Sequence, residues 1–489
     1  MINWLQKHAA EQSHSTCIEF QGHVYSFSQT LALSEHLASI MIDRFRLRKN
    51  EIFAFCFYNS PGTIFCYLAC WISGITALPM NPRFEFYEIR DVLMEFKPKI
   101  LVVDLARIDH ALHELALTTQ TILIDYASLM EDLIAVHEED VVLPPTEDLN
   151  SQTIHLTSGS EGRYKGCMHD LKQLTAYAED RAEDMGYRNS DKMLIVLSLN
   201  HAFAFSFQLL PALVLGIPMI ILPKFDEHAV MQAILETNAT TICLLPTMAY
   251  ILAETKEQYL MPKHFLRSAI IAGDSLPDSM NMTIHTAFGF YPMIGLGMTE
   301  CYGYTLNREP EKYRGSVGLP LQNFHIRIAK NGEILVRGTG VMLEYWQNPP
   351  ATKAALKNGW LHTGDLGYID KNSRLWFKGR LKKVIVTGGS KISPGQVENA
   401  LYDYPGVIEA AVIAQKDPIL SEVPIAFVAM HEIGEVTEQK IKDFLVKKLA
   451  DYKIPHRIII LSELPKISVG KIDYQRLENL LNGPEQNAA

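Results

Sequence analysis

The sequence predicts an α/β protein whose larger part is built from parallel-rich sheets flanked by helices. Short apolar runs, each ending at a polar or turn residue, alternate with helix-like segments along the N-terminal part of the chain. Such alternation is typical of parallel strands joined by helices that cover the faces of a sheet. The runs are FAFCF (53–57), ILVVD (100–104), TILID (121–125), TICLLP (241–246) and SAIIAG (268–273).

The C-terminal part has a different pattern, which predicts a β-subdomain and then a small α+β domain. The segment FHIRIAKNGEILVRG has the pattern of a hairpin that turns at an Asn-Gly pair (331–332). A strand, a glycine turn and a helix follow in GRLKKVIVTGGSKISPGQVENALYDYPG, and HEIGEVTEQKIKDFLVKKLADYKIP predicts an amphipathic helix. We therefore place a boundary near Phe377–Lys383 and divide the chain into domains 1–379 and 380–489.

Length, charge and cysteine content limit the class of protein. A chain of 489 residues, 48% hydrophobic and 20% charged, is typical of a globular protein with two or more domains. The net charge of −10 argues against nucleic acid as a partner, because nucleic-acid-binding surfaces are usually basic. The N-terminal segment lacks the apolar region of a secretory signal, and seven cysteines without a CxxC pair predict free thiols in a reducing cytoplasm.

One apolar stretch, MLIVLSLNHAFAFSFQLLPALVLGIPMIILP (193–223), tests whether the chain crosses a membrane. It is long enough for a span, and a histidine is its only ionisable residue. Polar residues, prolines and a glycine interrupt it, so it divides better into a strand, a polar turn, a buried helix and a second strand. We therefore expect a βαβ unit of the core, with a membrane span or membrane-surface segment as the alternative.

The segment HLTSGSEGRYKG (155–166) has the composition of a phosphate-binding loop but not the Walker spacing. That spacing requires a glycine at 164 and a serine or threonine after Lys165, whereas Tyr164 and Gly166 stand there. Glycines still allow close approach of an anion, and hydroxyl and backbone N–H groups donate to its oxygens. The segment therefore predicts either a phosphate site with Lys165 at its rim or a plain surface turn.

A second glycine-rich segment, YPMIGLGMTE (291–300), ends in a threonine and a glutamate. A carboxylate such as Glu300 beside a phosphate site can hold Mg²⁺, and the Thr299 hydroxyl can donate to a phosphate oxygen. The segment lacks the third glycine of the dinucleotide fingerprint, which argues against a Rossmann site. The alternative is a turn at a helix N-terminus that is capped by the threonine.

Three further residues have the chemistry of a nucleotide site. Asp365 follows Thr-Gly in WLHTGDLGYID, at an expected turn where a carboxylate can accept two ribose hydroxyls, although turn aspartates commonly bond their own backbone. Arg380 can bind hydroxyls or a phosphate, or belong to a solvated basic linker. Lys471, in LPKISVGKIDYQRL, can neutralise charge on a phosphate or carboxylate, or be an ordinary solvated lysine.

The order of these motifs is more specific than any one of them. TSGSEGRYKG, GLGMTE, LHTGDLGYID, GRLKKVIVTGGSKISPGQVE and PKISVGK resemble, in the same sequence, the core motifs of the adenylate-forming superfamily, which contains acyl- and aryl-CoA synthetases, peptide-synthetase adenylation domains and luciferases. The resemblance implies a large N-terminal domain and a small mobile C-terminal domain. It also implies that a carboxylic acid is activated with ATP and Mg²⁺ and is then passed to a thiol, commonly that of coenzyme A.

The resemblance further implies a role for each motif. The residues implied in binding are Thr157, Ser158, Gly159, Ser160, Gly162 and Lys165 for the β- and γ-phosphates, Thr299 for the α-phosphate, Glu300 for Mg²⁺, Asp365 and Arg380 for the ribose, and Gly388 and Gly389 for the path of the pantetheine arm. Lys471 would bridge the carboxylate and the α-phosphate during adenylation. The small domain would rotate at Lys382 between adenylation and thioester formation.

Three places depart from the usual pattern of this superfamily. The phosphate loop has Glu161 where many relatives have threonine and Tyr164 where many have proline, but its glycines and hydroxyls remain. Leu296 stands where relatives usually stack an aromatic ring on adenine, which predicts weaker base binding. The run IAGDSL replaces a Gly-Gly-Ala-Pro-like run beside adenine. The candidates there are Gly273, Asp274 and Ser275.

The apolar stretch also indicates the kind of acid. Amino-acid-activating relatives carry an aspartate that pairs with the substrate amine, and Phe203 takes that place in a stretch without carboxylates. An unpaired ammonium in an apolar pocket is costly, so we expect a plain carboxylic acid, aliphatic or aromatic. His201 resembles a histidine at the pocket mouth of many CoA ligases, or is a structural histidine at a strand end. The residues that line or merely pack the pocket are Ala202, Phe203, Ala204, Phe205 and Phe207.

The leading prediction is an AMP-forming acyl- or aryl-CoA ligase of the cytoplasm. The first alternative is an enzyme that loads its acid onto a carrier-protein phosphopantetheine. The second is an inactive ATP- or acyl-binding homologue, which the retained Glu300, Asp365 and Lys471 argue against. Glu161 and Leu296 leave that alternative open. The sequence makes no prediction of the oligomeric state.

Overall fold

The computed structural model describes residues 1–107, 109–135, 151–158, 164–256, 265–273, 276–387, 390–430, 436–467 and 470–482. Its strands are β1 Thr16–Phe20, β2 His23–Ser26, β3 Ile52–Cys56, β4 Thr76–Pro79, β5 Ile100–Val103, β6 Ile122–Asp125, β7 Gln152–Ser158, β8 Tyr164–Asp170, β9 Met193–Ile195, β10 Met219–Ile221, β11 Thr241–Leu244, β12 Ser268–Ile271, β13 Met293–Met298, β14 Tyr302–Asn307, β15 Leu319–Pro320, β16 Phe324–Ile328, β17 Glu333–Gly338, β18 Glu344–Tyr345, β19 Leu356–Lys357, β20 Trp360–Ile369, β21 Leu375–Arg380, β22 Ile385–Thr387, β23 Ser390–Ile392, β24 Val407–Asp417, β25 Ser421–Met430 and β26 Arg457–Leu461.

The α-helices are α1 Ile2–Glu11, α2 Phe27–Ser39, α3 Pro61–Ser73, α4 Phe86–Phe96, α5 His110–Thr119, α6 Tyr126–Ile134, α7 Leu171–Asp184, α8 Ala202–Ala204, α9 Leu210–Leu215, α10 Glu227–Thr237, α11 Pro246–Lys256, α12 Asp278–Phe288, α13 Pro349–Ala355, α14 Pro394–Tyr402, α15 Glu438–Leu445 and α16 Tyr474–Asn482. Two π-helical segments, Ile40–Arg44 and Phe205–Leu209, extend α2 and join α8 to α9. Short 3₁₀ turns lie at Leu105–Arg107, Leu381–Lys383 and Asp451–Lys453.

Two large sheets form the N-terminal part of the molecule. The nine-stranded sheet has the order β15-β14-β13-β12-β11-β9-β10-β1-β2, and the seven-stranded sheet has the order β18-β8-β7-β4-β3-β5-β6. Their central strands pair in parallel, and antiparallel pairs lie toward the edges. The five predicted runs coincide with β3, β5, β6, β11 and β12, so the parallel-rich α/β fold is confirmed.

The two sheets contribute to one shared core because their central strands are apolar on both faces. Along β3, Phe53 and Phe55 face this shared core, in which α3 is buried at every residue. Ala54 and Cys56 face the opposite side, against α4 and α5. This division follows the twofold alternation of side chains along a strand. Truncating one buried aromatic residue such as Trp71 in a core of this kind costs about 3–5 kcal/mol.

The apolar stretch 193–223 forms core elements. β9 and β10 are adjacent parallel strands, and the helical turns between them are buried. Asn200 Nδ2 donates to the Met80 carbonyl at 2.9 Å, and Gln208 Nε2 donates to the Leu194 carbonyl at 2.8 Å, so both side-chain amide nitrogens have partners inside the fold. In the described part of the chain, no helix is long and apolar enough to cross a membrane.

Two smaller sheets follow. The first has the order β16-β17-β20-β19, with β21 paired to β20, and the predicted hairpin of β16 and β17 turns at its Asn-Gly pair. The second has the order β23-β22-β25-β24, with β26 paired to β25 and with α14, α15 and α16 packed against it. β21 ends at Arg380 and β22 begins at Ile385. The domain division at 379/380 stays a prediction.

Gly318 joins the nine-stranded sheet to the first smaller sheet, and it leaves no room for a side chain. It precedes β15 and forms a bridge to Leu375, at the start of β21. Its φ is +91°, and a Cβ atom there would lie 2.0 Å from the Leu306 carbonyl oxygen. Both the backbone conformation and the close packing therefore require glycine.

We expect Gly318→Ala to lower the free energy of unfolding by about 3 kcal/mol or more, because the left-handed conformation and the clash with the main chain both oppose a side chain. Gly359→Ala is the matched control, since its φ is +77° and no atom lies within 4 Å of its Cβ position. The free energy of unfolding of the control should fall only by the cost of the left-handed backbone conformation, about 1–2 kcal/mol. Urea unfolding followed by tryptophan fluorescence measures both, and equal losses would contradict the steric reason.

Candidate active site

The candidate residues come together where strands of both large sheets end. β7 belongs to the seven-stranded sheet, whereas β12 and β13 belong to the nine-stranded sheet. Thr157, Gly273 and Thr299 lie at or within two residues of the carboxyl ends of these strands. In open α/β sheets, ligands bind at the carboxyl ends of the strands.

Thr299 and Glu300 lie in the tight turn of a hairpin between β13 and β14. The two strands pair antiparallel, and the Cys301 N–H donates to the Met298 carbonyl at 3.1 Å. The alternative of a capped helix N-terminus is therefore wrong, because main-chain pairing closes this turn. Glu300 is only 7% exposed, and one of its carboxylate oxygens accepts a hydrogen bond from the Tyr345 hydroxyl at 2.8 Å.

The phosphate-loop candidates lie at the end of a hairpin formed by β7 and β8. Thr157 pairs with Lys165 across this hairpin, so a hydroxyl and an ammonium group stand on neighbouring strands beside the loop. The Lys165 ammonium lies 5.1 Å from the ring centroid of Tyr345. Only the main chain of Ser158 is described. The residues that complete the loop and lie outside the described residues are Gly159, Ser160, Glu161 and Gly162.

Tyr164, one of the departures from the superfamily pattern, packs against α4. Its hydroxyl donates to the Glu88 carboxylate at 2.5 Å, and its ring centroid lies 4.8 Å from that of Phe84. Burial, together with the Glu88 carboxylate, raises the pKa of Tyr164 well above its usual value. The side chain is therefore engaged with the helix and keeps its hydroxyl proton.

Asp365 and Arg380 lie opposite each other on two paired strands. Asp365 is inside β20, and its register partner on β21 is Arg380, whose Nε lies 3.0 Å from Asp365 Oδ1. The expected turn at Asp365 and the linker alternative for Arg380 are both wrong, because strand pairing extends through both residues. Asp365 is 1% exposed, and burial raises its pKa to about 6, although Arg380 and Lys471 act in the opposite direction.

Lys471 is held in a small hairpin near the C-terminus. Lys466 bridges to Ile472, and the Ile467 N–H donates to the Lys471 carbonyl at 2.8 Å. At the base of this hairpin, the Lys466 ammonium lies 2.9 Å from the buried Glu409 carboxylate. The ion pair and the main-chain bonds together fix the position of the Lys471 backbone.

The hairpin of Lys471 forms one wall of a cleft. The opposite wall comes from the nine-stranded sheet and its helices. The lining residues are Leu245, Pro246, Thr247, Gly273 and Met280 on one side and Tyr402, Glu409, Gly470, Lys471 and Ile472 on the other. Burial is the main influence on the pKa values of Asp365 and His201, and the charge of Lys471 lowers both. The charge of Lys471 therefore acts on a nucleotide-side and an acid-side candidate at once.

His201 begins the helical turn that leads into the apolar stretch. It is the N-cap of α8, where its Nδ1 accepts a hydrogen bond from the Phe203 N–H at 3.3 Å. Burial, with a smaller contribution from Lys471, lowers the pKa of His201 to about 4, so the imidazole is neutral at pH 7. His201 thus has a structural role as a cap and also lies near Lys471. The buried residues that follow it are Ala202, Phe203, Ala204, Phe205 and Phe207.

The remaining candidates are distributed as follows. Leu296 is half-buried on β13, and Gly273 is exposed just beyond β12. Only the main chain of Lys382 is described, in a 3₁₀ turn between β21 and β22. The candidates outside the described residues are Asp274, Ser275, Gly388 and Gly389.

A buried network that the sequence did not indicate connects the two hairpins. The Tyr302 hydroxyl lies 3.2 Å from His155 Nδ1 and 3.1 Å from His169 Nδ1, and His155 Nε2 lies 3.3 Å from the Tyr67 hydroxyl. Burial lowers the pKa of both histidines, that of His169 to about 4, so both are neutral at pH 7. The network therefore links β7, β8 and β14 through uncharged side chains.

Glu300 fits the predicted role of a magnesium ligand. Within the described residues, no three His, Cys, Asp or Glu side chains come together as a metal site. Mg²⁺ commonly uses one or two carboxylates and takes phosphate oxygens and water as its other ligands. A single buried glutamate in a turn beside the β7–β8 hairpin is therefore enough as the protein ligand of Mg²⁺.

Several known proteins of similar sequence are CoA ligases. They include an indoleacetate–CoA ligase of Aromatoleum aromaticum, which is 29% identical with 96% of each chain covered. They also include a 2-succinylbenzoate–CoA ligase of Bacillus subtilis, which is 27% identical with 98% of each chain covered. The chain is similar to these enzymes over nearly its whole length.

Solved structures of similar fold contain the expected ligands. The o-succinylbenzoate CoA synthetase of Bacillus subtilis with its acyl-adenylate intermediate has a TM-score of 0.86 at 26% identity, covering 97% of this chain and 98% of that chain. The same enzyme with ATP and a magnesium ion also has a TM-score of 0.86 at 26% identity, covering 97% and 99%.

These relatives confirm the predicted enzyme class, an AMP-forming acid–thiol ligase that uses ATP, Mg²⁺ and coenzyme A. The family models divide the chain in the same order as the motifs. The model of the AMP-binding enzymes matches residues 5–346, and that of the AMP-binding enzyme C-terminal domain matches residues 396–471. The chain therefore belongs to the family of AMP-binding enzymes, the adenylate-forming superfamily that its motifs resemble.

Proposed function

We propose that this enzyme joins an apolar carboxylic acid, aliphatic or aromatic, to coenzyme A through an acyl-adenylate. The observation that carries the proposal is the position of Lys471, whose charge acts on both Asp365 and His201. A cation whose charge acts on both sides is what the meeting of the acid carboxylate and the α-phosphate requires, and this supports the role proposed for Lys471. Relatives named for indoleacetate and 4-coumarate support an acid with an aromatic body, and the relative named for 2-succinylbenzoate shares the aromatic ring but acts on an acid with two carboxylates.

The proposed ATP site uses donors on the phosphate side and a carboxylate on the ribose side. Thr157 and Lys165, with the backbone N–H groups of the loop between them, bind the β- and γ-phosphates, and the Thr299 hydroxyl donates to the α-phosphate. Asp365 accepts the two ribose hydroxyls, and Arg380 assists from the paired strand.

The proposed adenine site is apolar. Leu296 provides contact without ring stacking, and the segment that begins at Gly273 lies beside the base, with Asp274 and Ser275 as further candidates. A leucine side chain gives the base less specific contact than an aromatic ring, so ribose and phosphate contacts carry more of the affinity.

The first proposed step brings two anions together. A carboxylate oxygen of the acid attacks the α-phosphorus, and the bond from that phosphorus to pyrophosphate breaks. Because both reactants are negatively charged, positioning and charge stabilisation dominate the rate. Lys471 supplies an ammonium group between the carboxylate and the α-phosphate. Glu300 would hold Mg²⁺, which would neutralise part of the triphosphate charge.

The proposed acid pocket begins at His201 and is lined by phenylalanine rings. Phe203 and Phe207 meet edge to face with 5.2 Å between their ring centroids. The Phe207 ring also lies against Gly303, where a Cβ atom would come within 1.9 Å of it. Because the residues on this side are apolar, the proposed pocket favours an acid whose body is uncharged.

In the second proposed step, the thiol sulfur attacks the acyl carbonyl and AMP leaves. The C-terminal domain rotates at Lys382 beforehand, and Gly388 and Gly389 then line the path of the pantetheine arm. Coenzyme A is the proposed acceptor, and a carrier-protein phosphopantetheine is the alternative. We place the enzyme in the cytoplasm because all seven cysteines are buried and unpaired.

Exchange of labelled pyrophosphate into ATP, measured across a panel of aliphatic and aromatic acids, tests the proposed function. We expect exchange that depends on the acid, followed by formation of the acyl-CoA ester when coenzyme A is added. Absence of exchange with every acid would overturn the proposed activity. Exchange without ester formation, together with transfer to a carrier protein, would favour the alternative acceptor.

Lys471→Ala should lower pyrophosphate exchange on the order of 100- to 1,000-fold, because it removes a cation from the transition state of the first step. Thioester formation from supplied acyl-adenylate should be largely retained. Lys447→Ala, an exposed lysine near the C-terminus, is the control and should leave both half-reactions unchanged. Equal loss of both half-reactions in Lys471→Ala would contradict the proposed role.

Adenosine should bind more tightly as the pH rises through about 6, because the raised pKa of Asp365 keeps its carboxyl protonated below that pH. The ionised carboxylate offers one acceptor oxygen to each ribose hydroxyl, whereas protonation turns one of these oxygens into a donor, so the affinity should rise by up to about tenfold per pH unit below the pKa and level off above it. Calorimetric titration from pH 5 to 8 measures this. Adenosine is the probe because it carries no phosphate that titrates in the same range.

Asp365→Asn is the control for this pH profile. An amide does not ionise, so the variant should bind adenosine weakly and with the same affinity across the range. A wild-type affinity that falls as the pH rises, or a profile that persists in the variant, would assign the titration to another group.

A further inference from the structure

A short segment, residues 342–346, bridges the β7–β8 hairpin and the turn that contains Glu300. On one side, β18 pairs with β8, and the Trp346 N–H donates to the Gly166 carbonyl at 2.7 Å. On the other side, the Met342 N–H donates to the Glu300 carbonyl at 2.8 Å. This bridging segment therefore ties the main chains of two motifs that are far apart in sequence.

The side chain of Tyr345, in the bridging segment, contacts the charged residues of both motifs. Its hydroxyl donates to a Glu300 carboxylate oxygen at 2.8 Å, and the Lys165 ammonium lies over its ring at 5.1 Å from the centroid. Tyr345 is 7% exposed, so the ring is fixed by its surroundings. The Glu300 carboxylate thus contacts the hydroxyl of Tyr345, and the Lys165 ammonium group contacts the face of the same ring.

We propose that Tyr345 is a positioning residue that keeps Glu300 and Lys165 apart and aimed at different parts of Mg²⁺·ATP. A carboxylate and an ammonium group in a partly desolvated site attract each other strongly. A direct ion pair between Glu300 and Lys165 would leave neither group free to bind Mg²⁺·ATP. The hydroxyl holds the carboxylate at the edge of the ring, and the ring face holds the ammonium group by a cation–π interaction. Tyr345 acts through these two residues and touches neither the acid nor the reacting atoms.

This inference rests on the proposed function, in which Glu300 serves the metal and Lys165 serves the phosphates. Two substitutions separate the two contacts. Tyr345→Phe keeps the ring under Lys165 and removes the hydrogen bond to Glu300. Tyr345→Leu removes both contacts and leaves an apolar side chain in the same place.

The test is calorimetric binding of ATP in the presence and absence of Mg²⁺, with no acid and no coenzyme A. We expect Tyr345→Phe to lose most of the gain in affinity that Mg²⁺ gives the wild-type enzyme, on the order of tenfold, while its affinity for metal-free ATP stays within about twofold. Tyr345→Leu should weaken metal-free ATP binding as well, because Lys165 then loses its ring contact.

Tyr368→Phe is the matched control. Tyr368 also carries a lysine over its ring, with Lys378 Nζ at 4.6 Å from the centroid, but it is 40% exposed on β20. This variant should bind ATP like the wild type in both conditions. Thermal unfolding of each variant shows whether it is folded, and Tyr345→Phe alone decides the matter if Tyr345→Leu does not fold.

An unchanged magnesium effect in Tyr345→Phe would overturn the proposal. So would an equal loss of affinity with and without Mg²⁺, because a merely structural role would weaken both. The proposed function fails separately, since it requires acid-dependent pyrophosphate exchange, whereas this measurement needs only ATP and the metal. If the wild-type enzyme binds Mg²⁺·ATP but exchanges no pyrophosphate, the proposed ligase activity is wrong. The role of Tyr345 is then still decided by the ATP binding of its variants.

Discussion

The interaction on which this structure depends is main-chain strand pairing, which holds opposite charges close together in fixed positions. The proposed reaction joins two anions, so the site gathers Lys165, Arg380 and Lys471 from distant parts of the chain. Two buried carboxylates, Glu300 and Asp365, lie among these cations. Attraction between such groups is strong in a partly desolvated site. Strand pairing is what keeps them in place, because each of the five residues lies on a strand or in a hairpin.

The parallel strands could be predicted from the sequence because burial on both faces makes them continuous apolar runs, as in β3 and β12. The local rules failed where strand pairing overrides them. The Thr-Gly-Asp run suggested a turn at Asp365, but pairing with β21 extends the strand through it. Likewise the threonine before Glu300 suggested a helix cap, but the chain returns antiparallel to β13. Turn rules depend on a few neighbours in sequence, whereas these conformations depend on partners far along the chain.

The motif residues of the site could be predicted because glycines, hydroxyls and charges cluster in the sequence. The residues that support them could not. Tyr345 and Tyr302 are single tyrosines in ordinary surroundings, and their hydrogen-bond partners lie 45 to 147 positions away. Tyr164 illustrates the reverse case, since it lies in the phosphate-loop motif but its hydroxyl donates a hydrogen bond to Glu88 on α4. Position within a motif therefore does not establish that a side chain faces the ligand.

The state of His201 bears on the kind of acid that the site accepts. Its Nδ1 accepts a hydrogen bond from the Phe203 N–H, and its pKa is lowered to about 4, so the neutral ring must carry its proton on Nε2. The residue thus offers one donor and no charge. In the proposed mechanism, Lys471 is then the cation for the carboxylate of the acid, and the phenylalanine residues beyond His201 are the proposed contacts of its body. In the proposed pocket, an acid with a second charge would need a polar partner for that charge beyond these rings.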